Sequence, residues 1–75
     1  MTRSERIARE GLIEVYAGEI ITARVITPDE MSKNAARLRY IGTDYESHYN
    51  GREVLANIYE ERDNGAHYAT IEGGF

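Results

Sequence analysis

The chain contains no cysteine and no tryptophan, and only one proline, one phenylalanine and one lysine. Without cysteine there is no disulfide framework, no thiolate-ligated zinc, no iron–sulfur cluster and no thiol catalysis. The fold must therefore stand on packing or on self-association. No apolar run approaches the roughly 20 residues that span a bilayer, and Met1 to Arg6 leads into no signal-type apolar stretch. These absences lead to the expectation of a cytoplasmic protein that does not contact a membrane. No glycine-rich nucleotide loop and no H-x-E with paired cysteines occurs, so no cofactor is expected.

What is present is a 75-residue chain, 41% hydrophobic and 29% charged, a balance typical of a folded domain. At this length one small domain is expected over residues 1 to 75, with an arm or helix at 1 to 10, a core at 11 to 72 and a frayed tail at 73 to 75. Charge is unevenly spread. Residues 1 to 37 balance six bases against six acids. From residue 38 on, Arg39, Arg52 and Arg62 face Asp44, Glu46, Glu53, Glu60, Glu61, Asp63 and Glu72, which accounts for the whole net charge of −4.

Thr2-Arg3-Ser4-Glu5 reads as a capping box for a short helical turn. Residues 12 to 16 and 20 to 26 are rich in β-branched side chains, and Ala17-Gly18-Glu19 between them suits a tight hairpin. Alternation would set Ile13 and Val15 with Ile21, Ala23 and Val25 on one face, and Glu14, Tyr16, Thr22 and Arg24 on the other. The competing pattern is one helix over 4 to 17. Thr27 as N-cap, Pro28 at the first helical position and Gly42 as terminator predict a helix over 28 to 41, with Met31, Ala35, Leu38 and Ile41 inward. Residues 43 to 50 lack aliphatic side chains and are expected to form a loop. A second helix is expected from Asn50 or Gly51 to about Arg62, burying Val54, Leu55, Ile58 and Tyr59, and a last strand over 66 to 71. The expected fold is a small α+β domain, β-β-α-α-β: a three-stranded antiparallel sheet covered on one face by two helices. Such a sheet leaves free edges able to accept a second copy, so a homodimer is anticipated.

Catalytic constellations are weak. His48 and His67 have no metal-ligand spacing, and no metal is assigned. Asp44, Ser47 and His48 are the residue types of a nucleophilic triad, but neighbours in one loop rarely meet that geometry, and the set is read as coincidence. Glu60 and Glu61 are read as solvated on a helix end, where nothing would raise a carboxyl pKa. A non-enzyme is expected.

The tyrosines stand out: six, four of them (Tyr40, Tyr45, Tyr49 and Tyr59) between residues 40 and 59 among acids. Tyrosine gives large contact area for little lost side-chain freedom and tolerates partial exposure. Tyr16, Tyr59 and Tyr68 are read as packing at the core margin. The surface expected to bind is Asp44, Tyr45, Glu46, Tyr49, Glu53, Glu60 and Glu61, acidic and tyrosine-bearing. Its partner would be a larger protein with a basic surface, of the kind that holds nucleic acid. The expected role is that of an inhibitor, in the manner of the anti-restriction and anti-CRISPR proteins of phages and mobile elements. The alternative is a small dimeric regulator touching nucleic acid through Arg3, Arg6, Arg9, Lys33 and Arg37, opposed by the acidic second half.

Overall fold

The computed structural model describes residues 1–72; the tail expected at 73 to 75 lies outside them. The element order is α1 (Arg3–Ala8), β1 (Leu12–Tyr16), β2 (Ile20–Val25), α2 (Pro28–Lys33), β3 (Leu38–Tyr49), β4 (Arg52–Glu61) and β5 (His67–Glu72). The strands form one sheet in the order β1-β2-β5-β4-β3. β2 runs parallel to β5, and the other neighbours are antiparallel. The sheet curls into a mixed half-barrel that takes up 54% of the described chain. The three-stranded sheet under two helices is therefore wrong.

The N-terminal half follows local chemistry. Thr2 and Glu5 exchange the hydrogen bonds of a capping box at the start of α1, and Thr27 and Glu30 do the same for α2, where Pro28 takes the first helical position. The hairpin forms as its alternation requires: Ile13 pairs with Ala23, Val15 with Ile21 and Glu14 with Thr22. Gly18, at φ 83°, makes its three-residue turn. Helix α2 covers only the first six residues of the stretch expected to be helical, because Asn34 caps it with both backbone and side chain. Its Nδ2 donates to the Glu30 carbonyl at 2.7 Å, and its carbonyl accepts from Arg37 N–H at 2.9 Å to start a tight turn. Lys33, Arg37 and Tyr40, which a helix over 28 to 41 would set on one stripe, are thereby split among helix, turn and strand.

The largest correction is β3 with β4. Residues 43 to 49 of the expected loop belong to β3, and 52 to 61 of the expected helix form its antiparallel partner β4. Asn50 and Gly51 do not start a helix; both have positive φ, 55° and 80°, between the paired residues Tyr49 and Arg52. That is a two-residue hairpin turn whose twist suits the strands it joins. Val54, Ala56 and Ile58 then alternate inward and are buried. The core gathers them with Ile13, Val15, Ala23, Ala69 and Ile71. Leu38 and Ile26 are buried outside this group, in a cleft lined also by Glu30 of α2, Asn34, Arg37, Glu61 and Tyr68.

Curling brings β1 and β3, the two ends of the sheet, side by side and antiparallel, yet no ladder joins them. Helix α1 lies over this seam. Arg3 donates from Nε and Nη2 to the Glu14 carboxylate on β1 at 2.6 and 2.9 Å, and Ser4 Oγ accepts the Gly51 N–H beyond β3 at 2.9 Å. No residue of α1 is fully buried, and the helix is held as a strap by these polar contacts together with half-buried Ile7 and Ala8. No described helix is long and apolar enough to cross a membrane.

Candidate functional site at the seam of the half-barrel

Asp44, Tyr45 and Glu46 lie where β3 breaks register with β4. Asp44 pairs with Ala56 and Ser47 with Val54, which leaves two residues opposite one and makes a bulge. At the bulge the half-exposed Asp44 carboxylate is fixed from three sides. Its carboxylate accepts from Tyr16 N–H across the seam at 2.9 Å, from Glu46 N–H at 2.9 Å and from Ser47 Oγ at 2.6 Å. Partial burial pushes the Asp44 carboxyl up. The bonds from Ser47, Glu46 and Tyr16, with the nearby His48, outweigh that and hold it below the usual aspartate value. Asp44 is a structural staple in this arrangement rather than a contact group. The Asp-Ser-His grouping does not have triad geometry, because buried Ser47 donates its hydroxyl hydrogen bond directly to Asp44.

Tyr45, 69% exposed, stands out from the same bulge beside exposed Glu46. Across the seam Tyr16 and Ile20 are 59% and 73% exposed. The cleft between β1, β3 and α1 has a volume of about 710 Å³; Tyr16, Ile20, Ile7, Asp44 and Glu46 line it, and buried Val15 forms part of its wall. Its outer acids are held unequally. The Glu14 carboxyl sits below its ordinary value because Arg3 hydrogen-bonds and pairs with it, whereas Glu46 has no ion pair among the described residues.

The remaining expected contacts scatter. Tyr49 is half-buried against the core. Glu53 is exposed and pairs in register with His48. Glu60 and Glu61 lie at the far end of β4, about 23 Å from Glu53 at a rise of ~3.3 Å per residue. They are on no helix end and are only half exposed. Glu60 accepts from Arg39 Nη2 at 2.6 Å with His67 at 3.6 Å, and Glu61 faces Arg37 at 3.7 Å and accepts from Tyr68 Oη at 3.3 Å. The structure thus brings Asp44, Tyr45 and Glu46 together and sets Glu60 and Glu61 apart. Of the residues in the nucleic-acid alternative, Arg3 and Arg37 are engaged with Glu14 and Glu61, and Lys33 lies on α2 whereas Arg6 is on α1 and Arg9 is its C-cap.

Sequence reasoning placed Tyr16 at the core margin, where the structure leaves it 59% exposed, and did not single out Ile20 or Tyr40 as contacts. The signal existed for Ile20: the alternation that turns Ile21 inward puts Ile20 on the solvent face with Thr22. Tyr40, 56% exposed, packs edge-on against Tyr59 at 5.7 Å between centroids, and its hydroxyl meets that of Thr43. Among the described residues no cluster of His, Asp and Glu is arranged to hold a metal. Comparison with protein-family models, curated proteins and solved structures finds no match.

Proposed function

We propose that the chain is a small, non-enzymatic protein-binding module whose docking face is the β3 bulge and the rim of the seam. Tyr45 and Glu46 form its centre, with Tyr16, Ile20 and Glu53 around them. The observation that carries this reading is Tyr45 itself: a ring 69% exposed on a bulge pinned by hydrogen bonds to Asp44. A large aromatic presented on fixed backbone loses little entropy on binding, which is the character of an interface anchor. The acids beside it suit a partner with an Arg- and Lys-lined surface and would speed the encounter. In its sharper form the module blocks a nucleic-acid-handling protein such as a restriction or CRISPR nuclease by covering the surface that holds DNA or RNA.

The test is capture from host-cell lysate on the immobilised chain, washed at moderate and then high salt. One stoichiometric protein, released by high salt and not retained by Tyr45→Ala, supports the reading. Nucleic acid captured without protein, or equal capture by Tyr45→Ala, contradicts it.

A further inference from the structure

The seam contains a strand edge that the sheet does not use. β1 pairs with β2 from Leu12 to Tyr16 without a bulge. In an antiparallel pair the backbone groups of successive residues point alternately toward and away from the neighbour. Two observations fix which set points outward. The Gly11 carbonyl accepts from Val25 N–H at 2.8 Å, so odd-numbered residues address the β2 side; Tyr16 N–H donates across the seam to Asp44 at 2.9 Å, so even-numbered ones face away. The N–H and C=O groups of Leu12 and Glu14 therefore point into the seam, where no ladder with β3 forms. β3 is the poorer acceptor, because its bulges interrupt the edge.

An exposed regular edge is a template for another strand, and proteins commonly cover such edges. Here the cover is α1, a six-residue helix with no fully buried side chain, attached by the Arg3 to Glu14 ion pair and the Gly51 to Ser4 hydrogen bond, together with β3, which packs alongside β1 and is tied to it by the Tyr16 to Asp44 bond. Displacing α1 would uncover half-buried Ile7 and Ala8 and the Val15 wall of the cleft, and would free Glu14. The cleft beneath combines apolar surface from Val15 and Ile20 with the carboxylates of Glu14, Asp44 and Glu46. Arg3 lines it too and Asp44 is engaged in the bulge, so the carboxylates that displacement of α1 leaves for a cation are those of Glu14 and Glu46.

We propose that the edge of β1 is a strand-addition site, occupied by an extended segment of the partner protein that alternates apolar and basic residues, displaces α1 and parts β1 from β3 at the seam. The segment adds main-chain hydrogen bonds to Leu12 and Glu14, and its Arg or Lys side chains meet Glu14 and Glu46. This rests on the docking face proposed above and states how the partner engages it.

The probe is a fluorescent seven-residue peptide alternating Val and Arg, added to the full-length chain, with its backbone N-methylated analogue as control. The Val/Arg peptide should bind, shift the backbone amide resonances of Leu12, Glu14 and α1 in NMR spectra, and lose at least tenfold in affinity when N-methylated. Arg3→Ala, which loosens α1, should tighten binding about three- to tenfold. Glu14→Pro removes an outward N–H that β2 does not use, so the chain should stay folded, as amide spectra will report, and lose binding at least tenfold. Should Glu14→Pro unfold the chain, the N-methylated control still decides. No binding to the wild-type or Arg3→Ala chain, equal binding of the N-methylated peptide, or peptide-independent pairing of two chains through β1 would overturn the proposal. A lysate partner lost with Tyr45→Ala but retained by Glu14→Pro would keep the docking face and remove strand addition.

Discussion

The two ends of the β3–β4 ribbon carry similar sequence and present different surfaces. At one end Glu60 and Glu61 have Arg39, His67, Arg37 and the Tyr68 hydroxyl as partners. At the other, Glu46 and Glu53 stand without ion pairs among the described residues, beside an exposed tyrosine. Charge counted along a chain is thus a poor measure of charge offered to a partner, because pairing consumes it locally. Folding consumes Asp44 too, by hydrogen bonding inside the bulge, and leaves its neighbours outside.

Both ends rest on one core, so the largest effect should come from beneath them. Ile58 is fully buried between the ends. Ile58→Ala should cost about 2–5 kcal/mol, which denaturant unfolding will report, and should weaken both ends alike.

Asp44→Ala should separate the ends. It strips partners from the Tyr16 and Glu46 N–H groups and the Ser47 hydroxyl, at a cost of about 1–3 kcal/mol. Amide exchange should rise at the bulge and seam and stay unchanged at Glu60 and Glu61. The same staple gives a pH dependence. Because the folded-state pKa of Asp44 is depressed, its contribution is present above the ordinary aspartate value and is lost as pH falls through the folded value. Acid titration should therefore destabilise wild type below about pH 4 more than it destabilises Asp44→Asn, and parallel acid curves would contradict the staple.

Tyr45→Ala should reduce partner affinity at least tenfold while moving stability by less than about 0.5 kcal/mol, as expected of an exposed side chain. Smallest of all, Arg39→Ala breaks a pair whose arginine is 63% exposed. It should cost only about 0.5 kcal/mol and leave binding unaltered, which a melting curve and a binding isotherm together will show.

How much of this was legible in the sequence depended on whether local chemistry pointed one way. The capping boxes at Thr2 and Thr27 and the first hairpin were readable, since each is decided within a few residues. Over 50 to 62 the pattern was degenerate: Val54, Leu55, Ile58 and Tyr59 fit a helix face, and Val54, Ala56 and Ile58 fit a strand face equally well. The deciding signal was Asn50-Gly51, the residue pair best suited to a hairpin turn, which also marks the preceding tyrosine-rich stretch as a strand. The lack of aliphatics in that stretch reflects an edge strand with a bulge rather than a loop. At the site, Tyr45 and Glu46 were legible as exposed and acidic. The pinning of Asp44 was not, because it follows from the register break with β4 and from the approach of β1, 28 residues away in the chain.

The most direct measurement of the central claim is an amide hydrogen-exchange footprint of the chain bound to its captured partner. The account predicts protection at the bulge and seam, from residue 43 to 49 and over 12 to 20, with none from 60 to 67. Protection concentrated at Glu60 to His67, with the bulge still exchanging freely, would contradict it.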